Sequence, residues 1–169
     1  MTDGELPDWD RIVEHHARRV FRVALRILRS VEDAEDVSQD VFTEAFRTHR
    51  KGPVLSWTGL LVRLATLRSL DRLRRKRPSV ELRNDDTMVT VGPSEEAGAR
   101  ELADWLRKAI AQLPDQQATV FVMHYYEQFP HDQISAILGI SSDAVSAALY
   151  KARQRLLAQL AILNQEHRK

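Results

Sequence analysis

Apolar side chains recur every three or four positions over most of this 169-residue chain, a spacing that builds amphipathic helices and is incompatible with strands. Trp9, Ile12, Val13, Ala17, Val20, Phe21, Ala24 and Leu28 mark a first helix near residues 9–29, with Arg18, Arg19, Arg22, Arg26 and Arg29 outside. Ser30 is placed to cap a second helix whose first turn is acidic, as the helix macrodipole favours, and whose inner stripe is Ala34, Val37, Val41 and Ala45. Thr48 to Ser56, with Gly52-Pro53, breaks it. A third helix over 57–76 carries Leu60, Leu61, Leu64, Leu67, Leu70 and Leu73 and stops before Pro78. With six Gly, six Pro and few β-branched runs, the chain reads as all-α. It has no cysteine, which excludes disulfide scaffolds and thiolate zinc sites.

Residues 78–98 change character: Pro78, Gly92, Pro93, Gly98, Asn84-Asp85-Asp86 and five acids, without apolar period. This predicts an acidic flexible linker between two small helical domains, 1–77 and 99–169. Its reach is at most roughly 70 Å when fully extended. Periodicity resumes at Leu102, Leu106, Ile110 and Leu113; Pro114-Asp115 interrupts it, and a further helix is expected near 116–127.

The formal net charge of +1 hides a sorting of charge. Val31 to Glu44 holds Glu32, Asp33, Glu35, Asp36, Asp40 and Glu44 and no base, whereas Arg63 to Arg77 holds seven bases against Asp71 alone. Clustered arginines repel one another unless something anionic meets them, and a phosphate backbone is the natural candidate.

The most specific local pattern lies between Pro130 and Arg155. Ile134, Ile137 and Leu138 form the inner stripe of a short helix, Gly139 suits a tight left-handed turn, and Ser141 or Ser142 caps a longer helix with Val145, Leu149, Ala152 and Leu156 inward. This is a helix-turn-helix, whose second helix enters the major groove.

Asp33-Ala34-Glu35-Asp36-Val37-Ser38-Gln39-Asp40-Val41-Phe42 resembles the signature helix of bacterial sigma-70 family transcription initiation factors. Ser69-Leu70-Asp71-Arg72-Leu73-Arg74-Arg75 is similar to the end of their promoter-reading helix. Leu113-Pro114-Asp115-Gln116-Gln117, Ile137-Leu138-Gly139-Ile140-Ser141 and Lys151-Ala152-Arg153 resemble their second DNA-binding domain. The length and two-domain plan resemble the extracytoplasmic-function class.

The resemblance implies partners: RNA polymerase core, promoter DNA and, as an expectation of the class, an anti-sigma factor. It places Asp36, Gln39, Asp40 and Phe42 on the core polymerase, and Arg63, Arg68, Arg72, Arg74 and Arg75 on the −10 element. An unpaired base would be trapped by the loop 48–56 with the first turns of the third helix. Ser141, Ser142, Ser146, Tyr150, Lys151 and Arg153 would face the −35 element. Departures from the family pattern bear on base readout: Ser146-Ala147-Ala148 stands where a basic residue is common early in the recognition helix, Asp143 puts a negative charge near the groove, Leu67 stands where an Asn is common in the third helix, and the loop 48–56 holds no obvious aromatic.

Other chemistries fit poorly. His15-His16 are adjacent and the remaining histidines belong to different segments, so no metal or other cofactor is expected. No phosphate-cradling glycine loop or nucleophile elbow occurs, and no enzymatic activity is expected. Phe121, Tyr125, Tyr126 and Phe129 are expected to pack beneath the helix-turn-helix, and Leu156, Leu157, Leu160 and Leu163, which extend the last helix and offer a surface to a partner, are expected to be buried mostly within the chain. Apolar runs fall far short of the roughly 20 residues that cross a bilayer, and the acidic start is not a signal peptide, so no membrane insertion and a cytoplasmic location are expected. Two alternatives remain: a dimeric helix-turn-helix regulator, and a sigma-like interaction module that lacks promoter recognition.

Overall fold

The computed structural model describes residues 8–76 and 95–166. Over these the chain folds into helices α1 (Trp9–Leu28), α2 (Val31–His49), α3 (Trp57–Arg75), α4 (Glu95–Ala111), α5 (Asp115–Phe121), α6 (His131–Leu138) and α7 (Ser142–Glu166). A π-helical turn over Val122–Tyr126 continues α5.

Polar caps set the first three helix starts. The side chains of Asp8, Ser30 and Ser56 accept the backbone N–H groups of Arg11, Asp33 and Gly59, satisfying donors that have no partner inside the helix. Helix α1 ends with Arg29 in the left-handed region at φ 53°, its N–H bonded to the Leu25 carbonyl, so α2 starts almost at once and folds back. Val20, Val23, Ala24 and Ile27 of α1 bury against Ala34, Val37, Val41 and Ala45 of α2 and Leu61, Val62, Ala65 and Leu70 of α3.

In the second half, Ile110 and Leu113 close over Val120, Val122 and Met123, with Ile134 of α6 and Val145, Leu149, Ala152 and Leu156 of α7. The helix-turn-helix forms at the expected residues: Gly139 takes φ +65°, and the Ser141 hydroxyl accepts the Ala144 N–H and so caps α7. The boundary expected at residue 98 moves forward, because residues 95–98 are already in α4. An acidic side chain in the first turn of a helix, as at Glu96, interacts favourably with the helix dipole. The remainder of the expected linker lies outside the described residues.

The two halves share one continuous core. Gly59 of α3 lies against Ile137 of α6, and Arg19, Arg26, Arg29 and Arg74 all bond to groups of the second half.

Candidate polymerase and nucleic-acid faces

Helix α2 buries Asp33, Ala34, Val37, Val41 and Ala45 and turns Glu32, Glu35, Gln39 and Asp40 outward. The acidic stripe is only partly free. Buried Asp33 receives Arg72 Nε at 2.8 Å and is also bonded by Lys76 Nζ; Asp36 meets Arg72 Nη2 at 3.0 Å, and Glu44 takes a two-pronged bond from Arg68 at 2.6 and 2.7 Å. Burial pushes the Asp33 carboxyl up, but the bonds from Lys76 and Arg72 outweigh it and hold the group below the usual carboxylate range. The same pairs raise the guanidinium pKa of Arg68 and Arg72. Of the expected polymerase-binding residues, Gln39 and Asp40 are exposed, Asp36 is exposed but paired, and Phe42 is half-buried edge-on to Trp9.

The expected −10 arginines divide three ways. Arg68 and Arg72 face α2, as above. Arg74 reaches the opposite way, to the second half, where its Nη1 lies 2.8 Å from Asp115. Arg63 and Arg75 are exposed and, among the described residues, make no ion pair. The block is therefore less positive toward solvent than its sequence implies, because α2 and α3 pack side by side and long arginine stems reach across the seam.

The loop 50–56 is backed by an aromatic group that a linear reading does not assemble. Trp9 sits edge-on to Phe42, Phe46 and Trp57 with ring centroids 5.2–6.4 Å apart, and His49 lies 5.5 Å from Trp57. Leu55, 92% exposed, tops this loop.

On α7 and at its cap, Ser141, Ser142, Ser146, Tyr150, Lys151 and Arg153 are all exposed, together with Asp143. Two neighbours from outside the helix join them. His131 Nδ1 is 3.3 Å from the Ser146 hydroxyl, and the Tyr125 hydroxyl is 3.3 Å from Arg153 Nη1. Tyr125 therefore departs from its expected place: it is 42% exposed on this face, while Phe121 and Phe129 are buried and Tyr126 is half-buried. The cause is the π-helical turn, whose extra residue per turn shifts Tyr125 outward. Leu157 likewise departs, at 59% exposed, because α7 runs on past the body it packs against.

Comparison with known proteins places these faces in a family. Residues 12–78 match the family model for sigma-70 region 2, and residues 103–156 the model for sigma-70 region 4. The chain is 31% identical over 162 residues to the ECF RNA polymerase sigma factor SigE of Mycolicibacterium smegmatis, covering 92% of this chain and 63% of that protein. It is 28% identical over 178 residues to SigW of Bacillus subtilis, covering 95% and 92%. Its fold is similar to CnrH, solved in complex with the cytosolic domain of CnrY, with a TM-score of 0.60, 20% identity and coverage of 94% and 91%. It is similar also to RpoE of Bartonella quintana, solved with the anti-sigma factor NepR, with a TM-score of 0.54, 18% identity and coverage of 93% and 99%. A region 2 unit with an acidic α2 beside a basic α3, followed by a region 4 helix-turn-helix, means that the chain belongs to the sigma-70 family of transcription initiation factors, in its extracytoplasmic-function (ECF) class.

Proposed function

We propose that this initiation factor binds the polymerase core through the outward stripe of α2, with Gln39 and Asp40 at its centre and Asp36 and Phe42 beside them. It lays α3 on the −10 element and α7 on the −35 element, and helps strand opening by holding an unpaired base at the loop 48–56. The observation that carries this reading is the split between α2 and α3: unpaired carboxylates remain on one outer face and unpaired arginines, Arg63 and Arg75, on the other. Arg68 and Arg72 stiffen the seam and reach phosphate only by exchanging their carboxylate partners. The reading keeps two domain functions, 1–77 for core and −10 binding and 99–169 for −35 binding, and assigns no catalytic step to the chain. Among the described residues no helix is long and apolar enough to cross a membrane, and the site of action is the cytoplasm, where polymerase works. An anti-sigma partner belongs to the proposal; RpoE was solved with one.

Co-elution with purified core polymerase tests the α2 face: Asp40→Arg is expected to abolish it while leaving the helical signal intact. On promoter DNA, Arg63→Ala with Arg75→Ala is expected to reduce the slope of log affinity against log salt by about 2. A silent Asp40 change removes the assignment of α2. A second reading, an interaction module without promoter recognition, draws on the outward Ser142, Asp143 and Ser146 of α7, which offer little charge to DNA. Run-off transcription over a promoter library separates the two.

A further inference from the structure

The face of α7 given above to the −35 element is poor in positive charge where the helix begins. From Ser142 to Tyr150 the sole charged residue is Asp143, and the first bases are Lys151 and Arg153. How these are aimed therefore decides how strongly the face holds a duplex, because phosphate contacts supply a large share of the affinity. An exposed arginine on a helix samples many rotamers, and binding must freeze them. Arg153 is exposed and, among the described residues, makes no ion pair; the Tyr125 hydroxyl, 3.3 Å from its Nη1, is the group that restrains it.

This partner differs in kind from those of the α3 arginines. Arg68, Arg72 and Arg74 meet carboxylates, which cancel their charge. A hydroxyl oxygen accepts one N–H, fixes the direction of the guanidinium, and leaves the remaining donors and the whole positive charge for phosphate.

Tyr125 is a fixed post because its own position is set from both sides. Its ring lies 4.7 Å from that of buried Phe121 and 4.8 Å, edge-on, from that of His124. Its backbone belongs to the π-helical turn over Val122–Tyr126, which closes with the Glu127 N–H on the Val122 carbonyl, one residue beyond the α-helical spacing. Turns of this kind are rare and concentrate at functional sites. A second pair repeats the arrangement: His131, with its ring 5.0 Å from that of His124, brings Nδ1 within 3.3 Å of the Ser146 hydroxyl. Tyr125, His124 and His131 thus form a wall beside α7 that runs from Arg153 to Ser146, roughly 10 Å along the helix.

We propose that Tyr125 is a positioning residue for promoter binding: its hydroxyl holds Arg153 ordered, with its charge uncancelled, for the phosphates of the −35 duplex. The π-helical turn, and not α7 alone, then sets the strength of this face. The proposal rests on the −35 reading of α7 above.

The test uses the full chain bound to core polymerase and measures affinity for a promoter fragment recovered from the run-off library, over a range of salt. Tyr125→Phe keeps the ring between Phe121 and His124 and removes only the hydroxyl. It is expected to weaken promoter binding by about threefold or more, with the slope of log affinity against log salt unchanged, since Arg153 is still present. Arg153→Ala is expected to weaken binding further and to lower that slope by about 1. In the Arg153→Ala background, Tyr125→Phe is expected to change nothing, because the hydroxyl acts through a side chain no longer there. Full binding by Tyr125→Phe, with weak binding by Arg153→Ala, overturns the proposal and leaves the −35 reading standing. An equal loss from Tyr125→Phe in both backgrounds also overturns it, since the hydroxyl would then act by itself or through the fold. Full binding by Arg153→Ala removes Arg153 from the DNA face and the proposal with it. Core binding by every form, with promoter binding by none, rejects the −35 reading itself.

Discussion

Asp33 shows why a charged residue in a signature segment need not face a partner. Its side chain lies in the seam between α2 and α3, where Arg72 and Lys76 bond to it, and these bonds outweigh the burial that would otherwise raise its pKa. A carboxyl with a pKa lower in the folded than in the unfolded chain contributes stability above its unfolded value, and that contribution is lost as pH falls through the folded one. Stability from this group is therefore expected to be level near neutrality and to decline below about pH 4. Asp33→Asn is expected to cost about 1–2 kcal/mol in urea unfolding at pH 7, and to cost much less at pH 3. An equal cost at both pH values would show that the charge does not act there. In sequence Asp33 cannot be told from Asp36 or Asp40, because the Arg72 and Lys76 that claim it come from the end of α3, about forty positions away.

At the scale of elements, local chemistry was readable wherever a helix end or an inward stripe depends on neighbours in the chain. Ser30, Gly139 and the Val145, Leu149, Ala152, Leu156 stripe took the expected roles, since a cap, a left-handed turn and a helical period are each set within a few residues. Gly139→Ala places a Cβ at φ +65° and is expected to cost about 1 kcal/mol, a fall of about 2–4 °C in Tm, with the salt slope of DNA binding unchanged. A changed slope would mean that the turn itself meets phosphate. What local pattern missed is the π-helical turn: one inserted residue rotated Tyr125 from the expected core to the face of α7, beside Arg153. Aromatic composition alone does not register a one-residue shift in phase.

For the whole molecule, the shared core makes a thermodynamic statement. If Ile110, Leu113 and Ile134 belong to the same buried set as Leu61 and Leu70, the halves unfold together. Calorimetry at low salt is expected to show one transition for the free chain, and two for Gly59→Ala. Two transitions in both would mean that the halves are thermodynamically independent. Helical class, helix-turn-helix, family resemblance and the order of acidic and basic segments were determined by sequence alone, because periodicity, capping and motif are properties of neighbours along the chain. Which arginines remain free was decided only by tertiary structure. Arg63 and Arg75 face solvent, Arg68 and Arg72 cross to α2, and Arg74 clasps the second half, because a long cationic side chain bonds to whatever acceptor the packing brings within its reach.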